Sequence, residues 1–276
     1  MKILLNKEGI FSFINSKFRE LKIMDPKNIL ITGSGSGLGR GMAIRLASEG
    51  HNIILNGRTE SKLIETNEIL KKYAIKTLIK VGDVSNSRLV ETMISEIVDE
   101  LGSLHVVINN AGIGGQLSSI ISKSEEYFQE MMDINFKGTF LVSKYAVKVM
   151  KKQRKLIPLR GKIINISSIA GLEPFPGIAI YSASKAAMIS FTKSLAKEFA
   201  PTITANAVCP GYHVTPIYQN SPELIKSVWT SVNMKPLLER VGTAEDVAGL
   251  ISFLVSDDSN YITGQTISVC GGVVLH

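Results

Sequence analysis

Seven short runs rich in isoleucine and valine recur along the chain, separated by longer amphipathic segments. They are Asn28–Thr32, Asn52–Asn56, Thr77–Lys80, His105–Ile108, Lys162–Ile166, Thr202–Val208 and Thr266–Val269. Because the runs are almost continuously apolar rather than alternating, they are typical of strands covered on both faces. The segments between them, such as Leu38–Glu49 and Asn86–Leu101, have the pattern of helices. This alternation predicts an α/β fold, a doubly wound parallel sheet with helices on both faces, in a single domain.

Composition narrows the classes of protein to consider. Of the 276 residues, 45% are hydrophobic and 20% are charged, as in a globular protein with a substantial core. The net charge of +7 is spread along the chain apart from one basic run, so we expect no nucleic-acid partner. No apolar run approaches the ~18 residues that span a bilayer. The two cysteines, Cys209 and Cys270, have neither metal-ligand nor redox spacing, so we expect no metal site and a cytoplasmic location.

A glycine-rich loop follows the first apolar run and opens a helical segment. The residues of this loop that we expect to contact a ligand are Gly33, Ser36, Gly37, Leu38 and Gly39. Small residues allow backbone amides to approach a pyrophosphate, and the N-terminus of the following helix favours negative charge. The loop therefore predicts a dinucleotide site of the Rossmann type, with a merely flexible glycine loop as the alternative.

The spacing T-G-x-x-x-G-x-G in this loop resembles the short-chain dehydrogenase/reductase family. Further motifs of that family follow in order over residues 27–276: Asp83-Val84, Asn109-Asn110-Ala111-Gly112, Asn135, Ser168, Tyr181-x-x-x-Lys185, Pro210-Gly211, Thr215 and the closing YITGQTISVCGG. The resemblance implies an oxidoreductase that moves hydride between a nicotinamide dinucleotide and a carbonyl or alcohol carbon. It also implies a homotetramer, with the helices around Met131–Met150 and Tyr181–Phe199 at one interface.

The resemblance extends the predicted cofactor site beyond the glycine loop. The further contacts that it implies are Asp83, Val84, Asn110, Ala111, Gly112, Tyr181, Lys185, Pro210, Gly211, His213 and Thr215. His213 stands near a position where the family commonly has an aliphatic residue, so the sequence does not determine the local shape of the pocket. Cys270 is a second departure, which concerns the packing of the C-terminal segment.

The end of the second run indicates which dinucleotide is preferred. Gly57 aligns with the acid that binds the ribose hydroxyls in NAD-dependent relatives, and Arg58 follows directly. Arginine suits the additional phosphate of NADP through its charge and its paired hydrogen bonds. We therefore expect NADP(H) rather than NAD, although Arg58 could simply be a solvated residue before a helix.

Four residues carry the predicted chemistry. Tyr181 and Lys185 are four apart in a helical segment and so share one face of the helix. A neighbouring ammonium stabilises phenolate, so we expect Lys185 to lower the pKa of Tyr181 and make it the acid/base. By resemblance, Ser168 would bind the substrate oxygen, and Lys185 would also bind the nicotinamide ribose. Asn135 would anchor a water that relays protons from Lys185.

The sequence constrains the identity of the substrate less than that of the cofactor. Candidate substrate contacts are Leu172, Phe175, Ile178, Ile217, Tyr218, Trp229 and Met234, for which core packing is an equal explanation. One specific alternative is a β-ketoacyl carrier-protein reductase, with the basic run from Lys144 to Arg160 as a docking surface. The segment Ile113–Gln116 lacks that group's usual Ile-Thr-Arg-Asp and argues against it. The basic run could equally be a solvated helix end and loop, and a sugar, polyol, steroid or secondary-metabolite dehydrogenase is equally open. A protein that binds a dinucleotide without turnover is the alternative from a different class.

Residues 1–26 stand apart from this catalytic domain of residues 27–276. Apolar residues at helical spacing alternate there with basic ones: Ile10, Phe11, Ile14, Phe18 and Leu21 with Lys7, Lys17, Arg19 and Lys22. We interpret this N-terminal extension as an amphipathic helix that packs on its own domain or on a neighbouring subunit. Glu8 and Glu20 interrupt the basic character and argue against a membrane-surface helix.

Overall fold

A computed structural model describes residues 26–153, 159–216, 222–231 and 233–275. Its strands are β1 (Asn28–Thr32), β2 (Asn52–Gly57), β3 (Thr77–Val81), β4 (Val106–Asn109), β5 (Gly161–Ile166), β6 (Ile203–Pro210) and β7 (Thr266–Val269). Its α-helices are α1 (Gly37–Ser48), α2 (Glu60–Leu70), α3 (Ser87–Leu101), α4 (Glu125–Met132), α5 (Gly138–Met150), α6 (Ala179–Phe199), α7 (Pro222–Ser231) and α8 (Ala244–Val255). The strands fall on the seven predicted apolar runs, within a few residues at their ends.

The strands form one parallel sheet in the order β3-β2-β1-β4-β5-β6-β7. Ile29 of β1 pairs with Ile53 on one side and with Val106 on the other. The strand order therefore reverses between β1 and β4, and ligands of such sheets bind beyond the carboxyl ends of the strands at this point. The predicted doubly wound fold is confirmed.

Two apolar layers cover the sheet, and successive residues of β1 point into different ones. Ile29 and Ile31 pack with α1 and α8 on one face, whereas Leu30 packs with α3, α5 and α6 on the other. This arrangement explains why the runs lack alternation: both faces of each central strand are buried. All five residues of β1 are buried.

Some predictions concern residues outside the described part of the chain. The predicted N-terminal extension is among them apart from Pro26, and so are the candidate substrate contacts Ile217 and Tyr218. None of the described helices is both long enough and apolar enough to cross a bilayer.

Candidate active site

A cleft of about 500 Å³ runs along the carboxyl ends of the strands. Most of the residues that the sequence predicted for the site line it: Gly33, Ser36, Gly37, Leu38, Arg58, Asp83, Val84, Asn110, Ala111, Gly112, Ser168, Tyr181, Lys185, Pro210, Gly211, His213 and Thr215. Gly39 and Asn135 lie behind this wall. The structure thus brings together residues that are spread over more than 180 positions of the sequence.

The glycine loop forms one end of the cleft and needs its glycines for two different reasons. Gly33 has φ +65°, a left-handed conformation that side chains disfavour. A Cβ on Gly39 would collide with the carbonyl oxygen of Gly33, so the helix can start close to the strand only without a side chain. Ser36 precedes α1 without capping it through its side chain, which leaves amides of the first turn facing the cleft. These features fit the pyrophosphate of a dinucleotide.

The loop after β4 is tied to the glycine loop. The hydroxyl of Thr32 accepts hydrogen bonds from the backbone N–H of Asn110 and of Ala111, both at 3.0 Å. The side chain of Asn110 donates to the carbonyls of Thr32 at 2.9 Å and Gly33 at 3.1 Å. These bonds cross the point where the strand order reverses and hold the floor of the cleft. Thr32 was missed among the predicted site residues, although its place in the loop motif was the available signal.

The end of the cleft beside β2 and β3 carries an exposed cation. Arg58 is exposed and lines the cleft, and its guanidinium has no ion pair among the described residues. β2 ends with Asn56 and Gly57, so its last residues bring no carboxylate to the cleft. The side chain of Asn56 is buried and donates to the carbonyl of Lys80. Asp83 lies at the next strand end, where its carboxylate accepts from the backbone and the hydroxyl of Ser85.

Ser168, Tyr181 and Lys185 meet at the opposite end of the cleft. Ser168 follows β5, and its hydroxyl accepts from the backbone of Ala170 at 3.1 Å. Ser167 donates to the carbonyl of Lys185 at 2.8 Å. A Cβ on Gly171 would lie 2.8 Å from the carbonyl carbon of Lys185, so this glycine allows the segment after β5 to rest directly on α6. The predicted serine, tyrosine and lysine are thereby held in one wall.

Burial sets the electrostatics of Lys185. Its Nζ donates to the carbonyl of Ile166 at 3.0 Å, contacts Met188 Sδ at 3.6 Å and lies 5.8 Å from the ring centre of Tyr181. Burial lowers the pKa of Lys185 to about 8, because removal from water disfavours the ammonium. The same environment raises the pKa of the Cys209 thiol to about 11.

The predicted direction of the Tyr181 shift is wrong for the chain alone. Burial raises the pKa of Tyr181, and a hydrogen bond with Ser168 acts in the opposite direction without reversing the shift. The prediction assumed an ammonium close to the phenol oxygen. Instead the Lys185 ammonium is bonded to a carbonyl, and its own charge is disfavoured by burial.

Asn135 lies in a π-helical turn, Asp133–Lys137, between α4 and α5. Its side chain pairs twice with the backbone of Ile113, accepting at 2.8 Å and donating at 3.1 Å. It also donates to Ser184 Oγ at 3.2 Å. A Cβ on Gly112 would lie 3.0 Å from Asn135 Oδ1 and 3.5 Å from Lys185 Nζ, so the two side chains flank this glycine. π-Helical turns are frequent at functional sites, and no sequence pattern indicated this one.

The segment after β6 completes the cleft. His213 is buried and forms an isolated parallel bridge with Gly242. A Cβ on Gly242 would lie 2.6 Å from His213 Nε2, so the ring fills the space that the glycine leaves. A Cβ on Gly211 would lie 2.8 Å from the Cα of Cys270, which places this cysteine in the packing of the C-terminal segment as expected.

The predicted substrate contacts divide between the cleft and the core. Phe175 and Ile178 line the cleft. Trp229 is buried and packs edge-on against Tyr212, in an apolar cluster that Leu172 and Met234 join. Core packing is thus the structural role of these last residues. Lining residues that were not among the predicted contacts include Ile113, Gly115, Leu117, Tyr212, Pro216 and Val228.

The described residues contain no group of three or more histidine, cysteine, aspartate or glutamate side chains arranged to hold a metal ion. Cys209 and Cys270 are free thiols.

Comparison with known proteins identifies the family. A family model described as enoyl-(acyl carrier protein) reductase matches residues 33–274. A diacetyl reductase [(S)-acetoin forming] of Staphylococcus epidermidis is 38% identical over 258 residues, which cover 90% of this chain and 98% of the relative. A 3-oxoacyl-[acyl-carrier-protein] reductase of Staphylococcus aureus is 37% identical over 252 residues, covering 90% and 98%. The chain belongs to the short-chain dehydrogenase/reductase family.

Solved structures of this family share the fold. Levodione reductase superposes with a TM-score of 0.82 at 30% identity, covering 89% of this chain and 96% of that one. A putative short-chain alcohol dehydrogenase from Sinorhizobium meliloti gives a TM-score of 0.82 at 28% identity, covering 91% and 97%. As a family member, the chain is an oxidoreductase that uses a nicotinamide dinucleotide and a small-molecule substrate.

Proposed function

We propose that this chain is an NADP(H)-dependent carbonyl reductase and alcohol dehydrogenase with Tyr181 as its acid/base. The observation that carries the proposal is the convergence of Ser168, Tyr181 and Lys185 on one wall of a cleft whose other end is the glycine loop. This arrangement fits a cofactor that reaches from the loop to the tyrosine. The residues are those that the sequence predicted for the reaction.

Each residue has a role that its surroundings support. The nicotinamide dinucleotide, when bound, supplies or accepts the hydride. The Ser168 hydroxyl donates a hydrogen bond to the substrate oxygen and holds it near Tyr181. During reduction Tyr181 gives its phenolic proton to that oxygen, and during alcohol oxidation it takes the proton back. Burial raises the pKa of Tyr181 and so favours the protonated phenol, the form that reduction needs.

Lys185 and Asn135 prepare the tyrosine wall. The Lys185 ammonium supplies positive charge on the same wall, 5.8 Å from the ring centre of Tyr181, and hydrogen bonds for the ribose of the nicotinamide. Asn135 fixes the backbone at Ile113, on the other side of Gly112 from Lys185. We assign to it the predicted relay of protons onward from Lys185 through a water.

The acid/base assignment is tested with Tyr181→Phe. The phenyl ring keeps the packing but cannot donate a proton, so turnover of a ketone by NADPH should fall at least ~100-fold. The measurement is NADPH consumption over a panel of ketoacyl thioesters, ketoses, quinones, steroid ketones and diketones, with Tyr73→Phe, which is remote from the cleft, as the matched control. Retention of more than about a tenth of the activity in Tyr181→Phe would remove Tyr181 from the mechanism.

We infer a preference for NADP(H) from the strand end beside Arg58. The exposed guanidinium and the absence of a described carboxylate at the end of β2 suit the additional phosphate of this cofactor. NADPH should bind at least ~10-fold more tightly than NADH, about 1.4 kcal/mol. Arg58→Ala should erode the ratio of the two dissociation constants, whereas Arg45→Ala on the far end of α1 should not. Equal affinities in the unmodified chain would contradict the preference.

We also propose the homotetramer that the family resemblance implies, with α5 and α6 at one interface. Both helices carry exposed positions on their outer faces, including Phe140, which is 40% exposed. Light scattering should give about four times the chain mass of 30.0 kDa. A strict monomer would contradict this assembly.

A β-ketoacyl carrier-protein reductase is the second candidate. The Staphylococcus aureus relative that bears this name supports it. So do the exposed Lys144, Lys148 and Lys151 on and after α5, which offer positive charge to an acidic carrier protein. If this candidate is right, acetoacetyl attached to the carrier protein should be reduced with a lower KM than acetoacetyl coenzyme A. Lys151→Glu, after the end of α5 and away from Phe140, should then raise the KM of the first substrate only.

A further inference from the structure

Three apolar side chains are exposed to solvent in the segment between β4 and α4. Leu117 is 57% exposed, Ile120 is 59% exposed and Ile121 is 92% exposed. We call these three residues the apolar strip. Isolated exposed apolar residues are common, but several together next to a cleft indicate a binding surface.

Polar contacts hold the strip in place. The backbone N–H of Gln116 donates to the Tyr127 hydroxyl at 2.9 Å, and Lys123 Nζ donates to the Gln116 carbonyl at 2.6 Å. Ser118 N–H donates to the carbonyl of Gly177 at 3.1 Å. These bonds fix both ends of the segment without burying the strip, so its apolar side chains are available to a ligand.

The strip continues the wall of the cleft. Leu117 belongs to both, because it lines the cleft and is also exposed at its mouth. Gly177 has φ +90°, and a Cβ there would lie 2.8 Å from Leu117 Cδ1, so this glycine seats the leucine in the rim. Phe175 and Ile178, on either side of Gly177, line the cleft as well. Apolar side chains thus line the cleft from Tyr181 to its rim at Leu117, and Ile120 and Ile121 follow three and four residues further along the chain.

The described residues at the tyrosine end of the cleft offer no free charge to a charged substrate. Arg58 and Asp83 lie at the distant ends of β2 and β3. His213 also lines the cleft, but it is buried and its burial lowers its pKa, which disfavours the imidazolium. Lys185 is already bonded to Ile166 and is assigned to the reaction. A carboxylate or phosphate on the substrate would have no free counter-charge among the described lining residues near Tyr181.

We infer that the apolar strip is part of the substrate site and takes the hydrocarbon chain of an uncharged ketone. This inference rests on the proposed function and narrows it to ketones with a chain longer than that of a four-carbon diketone. The carbonyl is held at Ser168 and Tyr181, and the chain passes Phe175 and Leu117 to reach Ile121.

The test is the chain-length dependence of kcat/KM for 2,3-diketones from butanedione to octanedione. A fully buried methylene contributes about 0.8 kcal/mol, about fourfold, and a chain lying on a surface with one side in water gains roughly half of that energy, or about twofold. The ratio of octanedione to butanedione should therefore be about tenfold or more. In Leu117→Ser/Ile121→Ser it should fall below about threefold. Ile64→Ser, an exposed isoleucine on α2 away from the cleft, should keep the ratio of the unmodified chain.

Binding of the 2-alkanols from butanol to octanol, measured by calorimetry on the full chain, separates the two proposals. If neither NADPH nor NADH supports turnover of any carbonyl compound of the panel, diketones included, the proposed function fails, and the alkanol dissociation constants then decide the inference by the same ratio. Turnover with a ratio near one, or a ratio unchanged in Leu117→Ser/Ile121→Ser, overturns the inference and leaves the reductase in place. A ratio that rises with length and collapses in the double variant supports both.

Discussion

Lysine side chains are buried at both ends of the parallel sheet, and the two ends use them differently. At the amino end, Lys162 near the start of β5 is 5% exposed. At the carboxyl end, Lys185 is also 5% exposed and donates to the carbonyl of Ile166, the last residue of the same strand. Burial lowers the pKa of each ammonium to about 8. A buried side chain and a lowered pKa therefore do not distinguish a structural lysine from a catalytic one.

The difference lies in the partners. Lys162 Nζ donates to the carbonyl of Leu254 at 3.2 Å and to Ser259 Oγ at 2.7 Å, and it also donates to the carbonyl of Ser256. Lys27 donates nearby to the carbonyl of Val255 and pairs with Asp257. The two ammonium groups thus cap the C-terminus of α8, where carbonyls are left without helical partners and cations are favoured. Lys185 has one carbonyl and a sulfur and faces the cleft, so it retains capacity for a cofactor and for Tyr181.

The largest expected effect is on turnover at the carboxyl end. Lys185→Met keeps the length of the side chain and removes the charge, so kcat/KM should fall at least ~100-fold, and NADPH binding should weaken. The midpoint of thermal unfolding should change little, because a buried charge with few partners contributes little net stability. Tyr181→Phe should leave NADPH binding almost unaffected by contrast. Near-normal turnover in Lys185→Met would show that the two lysines do not differ in function.

A smaller effect is expected at the amino end, and it falls on stability rather than on turnover. Lys162→Met leaves carbonyls at the end of α8 without a donor, which should lower the free energy of unfolding by about 2 kcal/mol at pH 7. The kcat of the folded enzyme should stay within about twofold, since the site lies at the other end of the strand. Denaturant titration together with steady-state kinetics measures both. A large loss of kcat without loss of stability would contradict the structural role of Lys162.

The carboxyl end could be predicted from the sequence because its chemistry depends on local spacing. The glycines before α1 and the four-residue interval from Tyr181 to Lys185 are fixed by one loop and one helix. The glycine loop and the helix of Tyr181 lie along the same cleft because the strands are parallel, and the apolar runs implied a parallel sheet. The family resemblance then supplied Ser168 and Asn135.

The amino end and the fine electrostatics could not be predicted in this way. In the sequence Lys162 is a polar residue at the edge of an apolar run, and its partners at and just beyond the end of α8 are more than 90 positions away. The packing of His213 on Gly242 is likewise a contact between distant segments. The pKa of Tyr181 depends on where the Lys185 ammonium donates, a choice among nearby carbonyls that spacing alone does not determine.

The smallest expected effect is the response of the amino end to acid. His105 accepts a hydrogen bond from the backbone of Asn28 at Nδ1, 2.9 Å away, and its Nε2 lies 3.0 Å from Ser103 Oγ. Burial, and then the charges of Lys27 and His51, lower the pKa of His105 to about 4 from its ordinary 6.5. Below pH 6.5 the unfolded chain therefore binds a proton that the folded chain refuses, so stability falls as the pH falls toward 4. As the pH falls from 7.5 to 5.5, the titration of His105 should lower the free energy of unfolding by about 1 kcal/mol.

His105→Gln isolates this contribution, because glutamine can still accept the Asn28 bond but does not titrate. Denaturant titrations of both proteins at pH 7.5 and 5.5 should show a loss that is about 1 kcal/mol smaller in the variant. Burial also lowers the pKa of His51 and of His213, so part of the acid response should persist in His105→Gln. Lys185, with its pKa of about 8, becomes more fully protonated as the pH falls through this window. Acid should therefore act on the amino end of the sheet through His105, and an identical loss in both proteins would contradict this assignment.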